Sequence, residues 1–175
     1  MKNFKKLVPQ PFKKKIFPLI IKFCKKNKLK LFVLARRKNS LERKFYENFN
    51  HQIKFINKIN NFTKSYKLVD AATVVISLNN TLGYESLSRG NKTVFFNLND
   101  RKIPCRSYKM YGWPKKFKSN GPFWTNKYNE EKIYSKLNSI LKMNKKNWKT
   151  NQKNFEVIKY SNNSILKNKI REIII

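Results

Sequence analysis

The stretch Val74 to Phe96, VVISLNNTLGYESLSRGNKTVFF, limits the fold more than any other part of the chain. A β-branched run, Thr73 to Ser77, stops at Asn79 and Asn80. A short amphipathic segment, Leu82 to Arg89, follows and is closed by Gly90. Lys92 to Phe96 then forms a second apolar run. Glycine takes the left-handed conformation that ends a helix, so the order is strand, helix, stop, strand. This is a βαβ unit, and its crossover helix joins parallel strands.

The rest of the chain continues the alternation. Residues 16 to 27 read as a helix with Ile16, Leu19, Ile20 and Phe23 at helical spacing, and Lys28 to Ala35 as a strand. After the polar cluster Arg36 to Asn39, Ser40 can cap a helix reaching about Phe49, with Phe45 and Phe49 on one face. Ile53 to Ile56 fits a short strand, and Tyr66 to Ala72 a helix that leads into Thr73 to Ser77. The expected fold is therefore α/β: a Rossmann-like parallel sheet with helices on both faces. Residues 97 to 128 carry Pro104, Pro114, Pro122, Gly112, Gly121, Trp113 and Trp124, and read as a long, turn-rich aromatic loop of the kind that tends to be functional. Asn129 to Met143 and Lys146 to Ile175 are helical in pattern, and the stripe Ile133, Leu137, Ile140, Leu141 reads as core-facing. The organisation expected is a basic N-terminal segment or linker remnant (1–15), one Rossmann-like domain (16–144) and a helical C-terminal segment (145–175).

With 175 residues, 41 Lys plus Arg and 9 Asp plus Glu, the chain is one domain in size and carries a net charge of +32. Such a charge favours nucleotides, nucleic acid or an anionic membrane surface. It discriminates poorly among them, because lysine is scattered with Asn and Ile as an AT-biased coding sequence would scatter it. Cys24 and Cys105 stand far apart without a CxxC partner, which points to reduced thiols in a cytoplasmic protein. The apolar run Ile16 to Ile21 contains Pro18, ends in Lys22 and lacks a small-residue cleavage site, so export is not expected. No stretch has the length of apolar residues that a bilayer requires.

In open parallel sheets, ligands collect at the carboxyl ends of strands, where the next helix offers unpaired N–H groups and the positive end of its dipole. Ser77 to Thr81 lies at such an end. Asn80 and Thr81 are both capable N-caps, and Gly83 in the first turn would admit a phosphate close to the backbone. The same residues also suit a plain surface helix. Glu85 is four residues after Thr81 and five after Asn80, too far for a capping box, and Leu82, Tyr84 and Leu87 around it place it near the sheet. A carboxylate one turn into the helix would repel a phosphate, but it can accept hydrogen bonds from two ribose hydroxyls.

At these residues the chain resembles a family. DAATVVISLNNTLGYESLSRGNKTVFFN is similar to the pattern D-x-A-D-V-V-I-x-x-x-S-T-L-G-Y-E-x-L-x-R-G-x-K-V-x-F of surface-carbohydrate (O-antigen type) biosynthesis proteins, themselves similar to glycosyltransferases of the two-domain GT-B class. The likeness extends through LARRKNSLERKFYENF and SYKLVD upstream and YGWPKKFKSNGPFW downstream, to the Trp148 region. It implies the C-terminal, donor-binding half of such an enzyme, with a nucleotide-sugar as substrate rather than a resident cofactor. By this resemblance Asn80, Thr81, Leu82 and Gly83 would hold the diphosphate through backbone N–H groups and Glu85 the ribose, with Ser77 in the same nucleotide-sugar site. Arg36 or Arg37 would neutralise the leaving diphosphate. It further implies a lipid-linked glycan acceptor, a separately encoded N-terminal acceptor domain, and a place at the cytoplasmic face of the inner membrane in contact with anionic lipid. The chain departs from the family pattern in having Asn80 where Ser is usual and Thr73 where Asp is usual.

Only Asp70 and Asp100 are present, with no DxD pair, which disfavours the metal-dependent, single-domain glycosyltransferases. A helix dipole and arginines can stabilise a departing diphosphate without a metal. His51 has no Cys, Asp or Glu cluster around it, and neither GxGxxG nor GxxxxGK occurs. Two other readings stand beside the donor half. One is a nucleic-acid-binding protein that stacks bases on Tyr108, Tyr111, Trp113, Phe123 and Trp124. The other is a silent remnant that keeps the fold.

Overall fold

The computed structural model describes residues 11–34, 40–49, 53–56, 62–78, 80–98, 110–113 and 115–158. Helix α1 (Pro11–Lys26) starts with proline at the position where its missing N–H is harmless, and it continues through the exposed Pro18. It therefore begins five residues before the apolar periodicity does. Its inward face is Ile16, Phe17, Ile20, Phe23 and Cys24, all buried.

Strand β1 (Phe32–Leu34), helix α2 (Ser40–Glu47) and strand β2 (Lys54–Ile56) make a first parallel pair, with Phe32 opposite Lys54 and Leu34 opposite Ile56. Helix α3 (Phe62–Asp70) leads into β3 (Val75–Ser77), and α4 (Thr81–Ser88) crosses over to β4 (Thr93–Phe96). These strands are parallel, as the βαβ pattern requires: Val75 pairs with Thr93 and Ser77 with Phe95. A third strand, β5 (Trp124–Thr125), adds to the far side of β4 in the order β3-β4-β5. Helices α5 (Glu130–Lys142) and α6 (Lys145–Phe155) complete the described chain. The fold is thus α/β and Rossmann-like, with its parallel strands divided between two small sheets.

The aromatic stretch expected to be all loop contains β5. Two residues are too few to show a period of two, and Gly121 and Pro122 precede them, so the strand exists through its pairing with β4 rather than through propensity. Successive residues of a strand face opposite ways, and Val94, Phe95 and Phe96 are all fully buried, so β4 is covered on both faces. Ile133, Leu137 and Ile140 of α5 are fully buried and Leu141 half-buried, the core stripe that their spacing predicts.

Residues 111 to 124 also depart from the expectation of an open loop. Tyr111 stacks on Trp124 with ring centroids 4.5 Å apart and packs against Phe95, Phe117 and Phe123. Phe155 of α6 closes the cluster against Trp124 at 5.2 Å. Tyr111, Phe123 and Trp124 are buried and cannot stack bases; Trp113 is exposed, and Tyr108 lies outside the described residues. Trp124 likewise has its partners within this chain: its indole N–H donates to the Lys118 carbonyl at 2.9 Å. Each such aromatic contributes roughly 1.5–3 kcal/mol through burial, which is why this segment packs instead of projecting.

Candidate binding site at the carboxyl edge of the parallel sheet

Three polar residues end the three strands of the second sheet. Ser77 is the last residue of β3, and Asn97 and Asn126 directly follow β4 and β5. All three are buried. The register that pairs Ser77 with Phe95, and Phe96 with Thr125, sets them along one edge, where parallel α/β sheets take their ligands. Asn126 Oδ1 accepts from the Tyr111 N–H at 3.0 Å, while its Nδ2 has no partner among the described residues. The Tyr84 hydroxyl accepts from the Gly112 N–H at 3.4 Å, and the Asn97 side chain lies close enough to act on it. Burial pushes the Tyr84 phenol up, and Gly112 and Asn97 oppose that shift. Ser77 Oγ is buried with no partner at all among the described residues. A buried hydroxyl is normally hydrogen-bonded, so such an atom calls for an explanation.

Directly above that hydroxyl, α4 begins. Asn80 is the N-cap, in extended conformation (φ −136, ψ 157), and its Oδ1 accepts from the Gly83 N–H at 2.8 Å. The choice between Asn80 and Thr81 thus falls to Asn80, and Thr81 is the first helical residue. The Thr81 and Leu82 N–H groups are left without partners among the described residues, at the positive end of the helix. A Cβ on Gly83 would lie 2.2 Å from Ser77 Oγ and 2.4 Å from Ser77 Cβ. Glycine at 83 therefore brings the helix onto β3, a packing role that its sequence position in the first turn does not reveal.

Glu85 is half-buried and turned toward α3, where the Tyr66 hydroxyl donates to its Oε2 at 3.1 Å. Desolvation and the bond to Glu85 raise the Tyr66 phenol. The Arg89 guanidinium lies 5.1 Å from the Tyr66 ring centroid and grips Asp70 with both Nε and Nη2. Asn91 Nδ2 adds a bond to Asp70 at 2.7 Å. The bond from Arg89, and then that from Asn91, hold the Asp70 carboxyl below the usual carboxylate range against partial desolvation. This clasp fixes α3 beside α4.

Of the residues expected at the site, the structure gathers Ser77, Asn80, Thr81, Leu82, Gly83 and Glu85 around one strand-to-helix turn. Arg36, Arg37 and His51 lie outside the described residues, as does Cys105. Asn97, Asn126 and Tyr66 were not foreseen. Asn97 carries a signal, since it directly follows the apolar run that forms β4; Asn126 follows β5, which no local pattern reveals, and Tyr66 carries none, because its contact with Glu85 spans two helices.

Among the described residues no helix is long and apolar enough to cross a membrane. No curated protein and no solved structure matches the chain. Residues 11–174 match the model of a family described as putative O-antigen biosynthesis protein. Covering nearly the whole sequence, that match means that the chain belongs to this O-antigen biosynthesis family.

Proposed function

We propose that the chain binds a nucleotide-sugar at the carboxyl edge of β3, β4 and β5, and that it is the donor half of a glycosyltransferase of the GT-B kind. The unpartnered Ser77 Oγ, buried against the first turn of α4, carries this reading. Its unmet hydrogen bond at the carboxyl end of β3 supports a ligand at this edge. The Thr81 and Leu82 N–H groups and the helix dipole suit the diphosphate. Glu85, held by Tyr66 through one oxygen, offers Oε1 to a ribose hydroxyl.

In the reaction that follows from this assignment, the bond between the sugar and the diphosphate breaks and a bond to an acceptor hydroxyl forms. The nucleoside diphosphate leaves, and the acceptor proton passes to a base. Helix dipole and N–H donors at the leaving diphosphate stabilise the charge that develops there. Arg36 or Arg37 is proposed to add to this. The base and the site for a lipid-linked glycan acceptor are assigned to another domain.

A titration of UDP, GDP, CDP and CMP against the chain and its Glu85→Ala variant, at low and moderate salt, tests the proposal. Saturable binding of one nucleotide that survives salt and weakens at least tenfold in the variant is expected. Equal binding of all four, abolished by salt and indifferent to the substitution, would leave only the charge of +32 at work and end the proposal.

A further inference from the structure

A second feature lies away from this edge. Between the C-terminal half of α1 and the amino ends of β1 and β2 is a cavity of about 280 Å³. Its wall is apolar, with Ile21, Cys24 and Ile53, and its rim carries Lys25, Lys30 and Lys54. All three lysines are exposed. Next to the cavity, Phe32 pairs with Lys54 across β1 and β2 and leaves 48% of its surface in solvent, one of the few large apolar side chains among the described residues to do so.

Each part of this surface would be costly or idle on its own. An open apolar wall exposes hydrocarbon to water, and three cations around one mouth repel each other. A ligand with a negative head and a hydrocarbon stem satisfies both at once, since the lysines meet the head and the wall meets the stem. The half-exposed ring of Phe32 fits the boundary between head groups and acyl chains. A small phosphate would leave the apolar wall wet, and a nucleic acid would leave it unfilled.

We propose that this cavity and its rim are the docking surface for an anionic bilayer, with Lys25, Lys30 and Lys54 on lipid phosphates and the start of an acyl chain against Ile21, Cys24 and Ile53. The site is independent of the nucleotide reading: it uses the amino ends of the first sheet, not the carboxyl edge of the second.

Cys24 reports on it directly. With Cys105→Ser in the background, Cys24 is the single thiol, and its alkylation rate measures access to the cavity. Vesicles containing phosphatidylglycerol are expected to slow alkylation severalfold, whereas phosphatidylcholine vesicles and soluble glycerol phosphate leave it unchanged. In vesicle sedimentation, each lysine neutralised is worth about fivefold in affinity, so the triple variant Lys25→Gln, Lys30→Gln, Lys54→Gln should lose on the order of a hundredfold. A matched variant on α6, Lys145→Gln, Lys146→Gln, Lys149→Gln, should lose far less. Equal losses in the two triple variants, or protection of Cys24 by phosphatidylcholine or by glycerol phosphate alone, would overturn the proposal. Because all six lysines are exposed, neither set threatens the fold.

Discussion

Gly83→Ala separates a packing glycine from an ordinary helical one. In an exposed helix, alanine is favoured over glycine by about 1 kcal/mol, so propensity alone predicts stabilisation. Here the new methyl would lie 2.2 Å from Ser77 Oγ, 2.4 Å from Ser77 Cβ and 3.1 Å from Phe95 Cε1. Rotating Ser77 moves its Oγ but not its Cβ, and β3 is held by hydrogen bonds to β4, so relief requires α4 to lift from the sheet. Overpacking of this kind costs about 1–3 kcal/mol, which leaves a net loss of about 0–2 kcal/mol after the propensity gain. For a chain of this size that lowers Tm by about 2–4 °C per kcal/mol. Urea unfolding of wild type, Gly83→Ala, Ser77→Gly and the double variant should reveal a coupling of about 2 kcal/mol, with Gly83→Ala becoming neutral or favourable once Ser77 is glycine. If the single variant is more stable than wild type by the propensity difference, the contact of Gly83 with Ser77 has been misread.

Two further expectations follow from the caps and the clasp. Helices α1 and α4 end in the same hydrogen-bond pattern, Leu29 N–H to Cys24 carbonyl and Asn91 N–H to Ser86 carbonyl, but the left-handed residue is Gly90 (φ 94) in α4 and Lys28 (φ 53) in α1. Lys28→Gly should therefore raise stability and Gly90→Ala lower it, each by about 1 kcal/mol in denaturant unfolding. A depressed folded pKa means that Asp70 stabilises the fold fully above the ordinary carboxylate pKa and loses this contribution as pH falls through its lower folded value. Relative to Asp70→Asn, the wild type should thus be more stable at neutral pH, with the advantage vanishing in acid; as the pair is about a third exposed, the gap is at most about 1 kcal/mol.

The βαβ unit was legible because each of its parts is local. The β-branched run, the Asn cap, the Gly90 stop and the apolar run after it all act within a few residues of where they stand. The α5 stripe was legible for the same reason. The true start of α1 was not legible, because residues 11–15 (PFKKK) carry no apolar periodicity to mark the first turn. β5 and the burial of Tyr111 and Trp124 depend on partners far along the chain, β4 and Phe155 among them, and no local pattern encodes those. At the site, the cap and the position of Glu85 near packed structure could be read from spacing. The orphaned hydroxyl of Ser77 and the Tyr66 bond to Glu85 arise only when β3, α3 and α4 come together.

The central claim is that the first turn of α4 and the end of β3 hold the phosphates of a nucleotide. Amide chemical-shift mapping of the labelled chain with the tightest-binding nucleoside diphosphate tests it most directly. The account predicts saturating shifts at Ser77, Thr81, Leu82 and Glu85 that persist at moderate salt, with Leu31 and Lys54 undisturbed. Shifts spread over the lysine-bearing surface, fading with salt and sparing Thr81 and Leu82, would contradict it.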